Sequence, residues 1–523
     1  MAGMTDSVQR HDVCIVGGGL AGLTLARDLG RRLPALDIAV VERSRFPVPE
    51  AAHKVGESTV EITSHYLARD LGLAEHLDRE QLRKFGLRLF CRGDVPIARD
   101  VAAYDEIGPS APLPIPTYQL DRGRFENHLA RTWSGVGALH DGTTVRSIEV
   151  HRGAHRVVLR NPGEGRETTL RCRYLIDASG RRGFLRRSRG TARPARHRHH
   201  AVWFRLRGRV DVESLSTDGD WLSRCSGELP RCASTVHFTG PGYWLWLIPL
   251  ASGATSVGLV FDPARVPLDE VRGRADLVRW LRLEHPLVAA ELADGEALDH
   301  CVLQNYAVGN SQVFSEDGWA TTGDASLFAD PFYSPGGDFI ALANTYVVDL
   351  IARGFPAERV DNYQRNYQAF FLNTMLLYRG QYAGFGDRRL IVAKTLWDYA
   401  FYWSILAKLF FSGRFTDLEF MRRNENLLQR AAALHARVQR LFRDQAANAR
   451  RVGGEGRFFD HHAVPLFHEL QLDLVEGDPG DDEKRLTRNV ERLQAAATGV
   501  RCILGEDADG FAGRSLGQVP GFG

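Results

Sequence analysis

The sequence predicts an α/β (α+β) chain with a Rossmann-like nucleotide-binding domain towards its N-terminus and a helical C-terminal region. Three observations predict it. DVCIVGGGLAGLTLARDLG is a short apolar strand, a glycine turn and then a helical pattern. Strand-and-turn segments recur as far as GWATTGDASLFADP. From about Asn362 the apolar residues fall at i, i+3, i+4 and i+7, as on one face of a helix.

At 523 residues the chain is too long for one simple core, so two or more subdomains are expected. A net charge of +2 gives no global case for nucleic acid or a membrane surface. No apolar run reaches the length of a transmembrane helix, and MAGMTDSVQRHD has no signal-peptide core, so a cytoplasmic protein is expected. The seven cysteines include no CxxC pair, which argues against a zinc site or redox dithiol; no metal site is expected. One charge run, RRGFLRRSRGTARPARHRHH, carries eight arginines over residues 181–200. It reads as a solvated loop or as a docking patch for an acidic partner such as a carrier protein.

In the first segment Gly17, Gly19 and Gly22 fit GxGxxG. These glycines allow a tight turn and close approach of backbone to a pyrophosphate at the helix N-terminus. The next strand, DIAVVER, ends at Glu42 and Arg43, and Glu42 is placed to hold ribose hydroxyls. Four later segments choose FAD over NAD. YQLDRGRFENHL puts Arg122 at a helix start, and TTVRSIEV is a strand whose Val145 could lie beside an adenine. YLIDASGRRG ends a strand at Asp177. TTGDASLFADP sets Gly323 and Asp324 just after a strand, where the carboxylate could accept ribityl hydroxyls, and continues to Pro331. Together these segments resemble the para-hydroxybenzoate hydroxylase-like FAD fold. That resemblance implies a discontinuous FAD domain within residues 10–355, with an antiparallel substrate-side sheet inserted at about 83–118 and 197–310. A helical domain over 356–475 and an acidic, Gly-rich tail over 476–523 complete the expected organisation.

Further segments narrow the family. YWLWLIPL contains Trp244-x-Trp246-x-Ile248-Pro249, a strand with two large aromatics on one face. HKVGESTVEI carries Gly56-Glu57-Ser58, and LRKFGLRLF carries Lys84-Phe85-Gly86 shortly after it. The WxWxIP, GES and KxG segments resemble those of flavin-dependent halogenases of the tryptophan halogenase-like superfamily. The resemblance implies that a separate flavin reductase supplies reduced FAD and that oxygen and halide then yield hypohalous acid. It also implies that Lys84 captures and orients that acid toward a small aromatic substrate, free or carrier-bound. A lysine held in an apolar strand loses basicity through desolvation, which suits either capture or donation.

The loop after the GDA segment departs from the family pattern. Where tryptophan halogenases read Glu-Ser-Thr-Gly, this chain reads Tyr333-Ser334-Pro335-Gly336. Tyr333 argues against free tryptophan and, with Ser334, Trp244 and Trp246, is expected on the substrate or halide side. Pro335 has no N–H to give, so a halide would depend on Gly336 and Gly337 at the start of GGDFIALANTYVVDLI. Asp338 adds negative charge there. An FAD-dependent monooxygenase, a hydroxylase or epoxidase that uses no halide, is the alternative. The aromatic stretch KTLWDYAFYWSILAKLFF reads as a buried helix or as the wall of a flat apolar substrate site.

Overall fold

The computed structural model describes residues 7–50, 54–94, 100–133, 135–162, 167–225, 229–476, 479–505 and 516–523. A mixed eight-stranded sheet with a parallel centre carries the nucleotide-binding domain, with Thr144–Glu149 and His155–Arg160 added antiparallel on Glu167–Asp177. Its strands run in the order Phe314–Ser315, Trp319–Thr321, Glu167–Asp177, Ser7–Val16, Ile38–Val41, Gly137–His140. The central strand is covered on both sides: Val13 and Ile15 enter one buried cluster, Cys14 and Val16 another. That is why VCIV is continuously apolar rather than alternating. Val16 pairs in register with both Val41 and Asp177, so three strands end along one edge, where nucleotides bind in open α/β sheets.

The second sheet is mostly antiparallel, in the order Cys301–Gln304, His200–Arg207, Ala254–Phe261, Tyr243–Pro249, Thr235–Gly240, Leu87–Cys91, Asp105–Gly108, Phe458–Asp460. Two pairings are parallel: Thr235–Gly240 with Leu87–Cys91, and Asp105–Gly108 with Phe458–Asp460. Strand alternation sorts its side chains. Tyr243, Leu245 and Leu247 pack under the helices Arg274–Glu284 and Pro286–Ala293. Trp244, Trp246 and Ile248 face the opposite way, into the core shared with the nucleotide-binding domain. Phe458–Asp460 comes from beyond the expected insertion, so the helical region is stitched to this sheet.

The C-terminal region is built on the helices Ala357–Leu376, Arg388–Phe401, Glu425–Ala446 and Pro465–Val475. The second continues through a π-helical turn, Tyr402–Ala407, into Lys408–Phe411. The expected acidic tail is different in kind. Asp482–Gly505 is a 24-residue helix that buries Leu486, Val490 and Leu493. Its start is anchored by the buried pair Lys408–Asp482 (2.9 Å), while 477–478 and 506–515 of that tail lie outside the described residues. Apolar residues at helical spacing override the acidic composition of the first turn. No described helix is long and apolar enough to cross a membrane.

Candidate active site

A long cleft of about 1740 Å³, open mouth included, follows the carboxyl edge of the parallel strands. Gly17 turns the chain with φ +114°, and a Cβ on it would stand 2.3 Å from the carbonyl oxygen of Ala178. Gly22 packs its helix on that turn: a Cβ there would lie 1.9 Å from the Gly17 oxygen. A Cβ on Gly19 would meet nothing within 4 Å, because this residue faces the cleft at the start of the helix Leu20–Arg32. No side chain caps that helix, leaving its first N–H groups to a ligand. The Glu42 carboxylate is fixed at the strand end by the N–H groups of Gly18 (2.8 Å) and Ser44 (2.9 Å). Arg43, Val145, Arg122, Gly323 and Asp324 line the same cleft. Burial pushes the Asp324 carboxyl up, while Arg181, Arg122 and Arg186 oppose that shift.

The cleft runs into a compartment of about 1000 Å³, lined by Gly56, Glu57, Ser58, His237, Trp244 and Trp246 and, opposite, by Pro331, Ser334, Gly336 and Gly337. A third space, about 920 Å³ and largely apolar, lies beyond it. Tyr399, Tyr402, Trp403 and Leu406 of the aromatic stretch form part of its wall. The loop 333–336 partitions the two spaces. Tyr333 and Pro335 face the apolar cavity, Ser334 and Gly336 the compartment. The backbone achieves this by placing Tyr333 (φ 67°) and Ser334 (φ 58°) consecutively in the left-handed region. Strain of this kind persists where the surroundings over-determine it. The helix Gly336–Arg353 starts at this wall with no side-chain cap.

Lys84 crosses the partition. It ends the short strand Leu82–Lys84, held against Thr117–Gln119, and is 5% exposed. Its Nζ lines the apolar cavity yet donates to Ser58 Oγ (2.9 Å), a residue of the compartment, and to the Thr59 carbonyl (2.8 Å). Desolvation lowers the ammonium from 10.5 to about 7, against the pull of Glu61 and Asp338. Asp338 does not aim at the helix N-terminus as an intruding anion. Its Oδ1 accepts from the Thr63 N–H (3.0 Å) and Thr63 Oγ1 (2.5 Å), and its Oδ2 from the Tyr402 hydroxyl (2.8 Å). Burial raises it to about 7. The π-helical turn that begins at Tyr402 supplies this contact, and such turns cluster at functional sites.

Residues 10–237 match the FAD binding domain family. A flavin-dependent halogenase of Dictyostelium discoideum, chlA, is 26% identical over 398 residues, covering 70% of this chain and 64% of that protein. The 1H-pyrrole-2-carbonyl-[peptidyl-carrier protein] brominase of Pseudoalteromonas luteoviolacea is 25% identical over 348 residues, 65% of this chain and 77% of that one. The chain is thus similar to flavin-dependent halogenases over about two thirds of its length. It spans just under two thirds of the length of the Dictyostelium relative. The solved structure of halogenase PltM in complex with phloroglucinol and FAD shares the fold, with a TM-score of 0.66 at 17% identity over 91% of this chain and 99% of that one.

The cleft fits FAD: it has an open glycine face at Gly19, an uncapped helix start, and carboxylates at Glu42 and Asp324. Of the expected cofactor residues, Gly56, Glu57, Ser58, Pro331, Gly336 and Gly337 line the adjoining compartment instead, and Gly22 and Asp177 line neither space. Gly22 acts by letting helix and turn touch. Asp177 lies behind the wall, where its carboxylate accepts from the N–H groups of Ser179 (3.0 Å) and Leu185 (2.7 Å) and shapes the loop that does line the cleft. Glu57 reaches the compartment but is paired with Arg205 (2.8 Å). Trp244 and Trp246 are anchored by the Tyr382 hydroxyl (2.9 Å) and Ser256 Oγ (3.1 Å). Tyr382 in turn donates to Asp330 (2.7 Å), which also binds His197 (2.6 Å). Sequence reasoning missed Asp330, although it stands in the quoted loop, and Glu61, only three residues after Ser58. A carboxylate in a helix's first turn has an ordinary capping explanation, so its type gave no signal.

Proposed function

We propose that the protein is an FAD-dependent oxidoreductase that uses reduced FAD, oxygen and halide to halogenate an electron-rich aromatic substrate, of phenol or pyrrole type or carrier-bound. The observation that carries this reading is the hydrogen bond from Lys84 to Ser58 across the partition. It joins a flavin-side compartment to a largely apolar cavity through one weakly basic amine. Bound reduced FAD would supply the oxygen activation. Gly17, Gly19, Glu42, Arg43, Val145, Arg122, Gly323 and Asp324 would hold it, with its ring end toward Trp244 and Trp246.

The chain's own groups do the rest. The Gly336 and Gly337 N–H groups, at the positive end of a helix, are the donors available to a halide. Ser58 and Thr59 hold the Lys84 amine at the crossing, where it orients hypohalous acid. The apolar walls keep that acid from water. A separate flavin reductase would deliver the reduced cofactor. The exposed Arg187, Arg189, Arg193, Arg196 and Arg198 would suit an acidic carrier, and a cytoplasmic role in specialised metabolism fits these partners.

Pro335 supports a second reading, a monooxygenase, because it removes one donor from the halide loop. Reaction with reduced FAD, oxygen and a panel of phenols and pyrroles, with and without bromide, separates the two. Brominated product that requires bromide is expected. Oxygenated product formed equally without halide would establish the monooxygenase instead.

A further inference from the structure

We propose that Glu61 receives the hydroxyl of the substrate, so that the apolar cavity takes a phenol with an apolar body and Glu61 draws the phenolic proton as the ring is halogenated. The inference rests on the halogenase reading of this site and narrows it from aromatics in general to phenols. Glu61 is 8% exposed and lines the same cavity as Lys84. Two other acids line the cavity, and both are committed. Asp338 is held by Thr63 and Tyr402. Asp398 is paired with Lys394 (2.8 Å) and accepts from Gln439 (2.6 Å). The two histidines there serve less well. His435 has Trp397 on one ring nitrogen and the Asn373 carbonyl at the other, and burial pushes His461 down to about 3.

Glu61 Oε1 accepts from Gln471 Nε2 (3.0 Å), which orients the group. A carboxylate has about four acceptor positions, so the Gln471 amide and the nearby Trp403 indole still leave capacity for a ligand hydroxyl. Burial pushes this carboxyl up, with its own backbone N–H, the Trp403 indole, the Lys84 ammonium and Gln471 pulling it back. A carboxylate made more basic is a better proton acceptor for a phenol. Of the remaining lining, Val60, Leu87 and Leu113 are apolar, while Tyr399 and Tyr402 carry neutral hydroxyls, weaker acceptors than a carboxylate, and that of Tyr402 already donates to Asp338.

The step balances with hypohalous acid as the oxidant. The ring carbon's π electrons form the carbon–halogen bond as the oxygen–halogen bond breaks. The departing hydroxide takes a proton from the Lys84 ammonium and leaves as water, while the phenolic O–H proton passes to the Glu61 carboxylate. The halogenated dienone then loses its ring proton to the Lys84 amine, and the phenolic oxygen regains a proton from Glu61. The net change is phenol plus hypohalous acid to halophenol plus water.

Binding tests the inference without flavin, oxygen or halide. The purified protein is titrated calorimetrically with 4-pentylphenol and with its methyl ether, 4-pentylanisole, which has no proton to donate. The wild type should prefer the phenol by about ten- to a hundred-fold, the range for a hydrogen bond to a charged group. Glu61→Gln should cut that preference several-fold and Glu61→Ala should abolish it, while both still bind the ether. In turnover, Glu61→Gln should lose at least about a hundred-fold in kcat with a smaller change in KM. A wild type that binds neither probe, or binds both alike, overturns the inference even if bromination occurs. So does a preference that survives in Glu61→Ala. A preference carried by Glu61 with no brominated product would instead leave this assignment standing and defeat the halogenase reading.

Discussion

Lys84→Met separates a lysine kept for chemistry from one kept for structure. Burial lowers the Lys84 ammonium from 10.5 to about 7. At about 1.4 kcal/mol per pH unit, roughly 5 kcal/mol of preference for the charged form is lost on folding. Methionine removes that cost and fills similar space. It also removes the bonds to Ser58 Oγ and the Thr59 carbonyl, worth about 1–2 kcal/mol each. Glu61, deprived of its neighbouring cation, answers by holding its proton. The net is a gain of roughly 1–3 kcal/mol for the variant below pH 7. The sign with pH follows from linkage. Between about 7 and 10.5 the folded wild type binds fewer protons than the unfolded chain, so wild-type stability rises with pH across that window. The variant lacks this rise, so its advantage should shrink from pH 6 to pH 9. Urea unfolding at both pH values measures it, and oxygen consumption beside product formation gives the functional half. Brominated product should vanish while peroxide is still released. A variant less stable than wild type at pH 6 would refute the reasoning and make Lys84 a structural clamp.

Two further substitutions probe the partition. Asp338 is raised from 3.8 to about 7, so the folded protein holds its proton more tightly and loses stability as pH rises through that window. Asp338→Asn should therefore be more stable than wild type by up to about 4 kcal/mol at pH 8 and by little near pH 4, read from urea midpoints; an advantage that grows toward acid pH would contradict this. Pro335→Thr restores an N–H to the halide loop, and the bromide concentration for half-maximal rate should fall about ten-fold, the worth of one donor to an anion. Unchanged bromide dependence would remove the loop from halide binding.

What could be read from the sequence was what short segments impose on themselves. The GxGxxG turn, Glu42 at a strand end, and the alternation that puts Trp244 and Trp246 on one face are all set within a few residues. Lys84 could be singled out because its neighbours in LRKFGLRLF are apolar. What could not be read depends on partners far along the chain. Glu61 meets Gln471 across 410 positions, Thr63 meets Asp338 across 275, and Phe458–Asp460 completes a sheet begun near Leu87. Asp338 illustrates the consequence. Judged by its place in a helix's first turn it repels a halide; judged by its bonds it faces the other cavity, half-neutralised by burial. The same holds for the loop Tyr333-Ser334-Pro335-Gly336. Its composition marks a lost donor, but only the left-handed backbone at Tyr333 and Ser334 turns alternate residues to opposite sides. Proline at 335 is then compatible with the wall for a physical reason: its fixed φ, here −74°, starts the helix while its ring adds to the apolar cavity. The residue that weakens the halide side thus strengthens the substrate side, which is why Pro335→Thr should improve halide use and loosen the fit of an apolar substrate in the same protein.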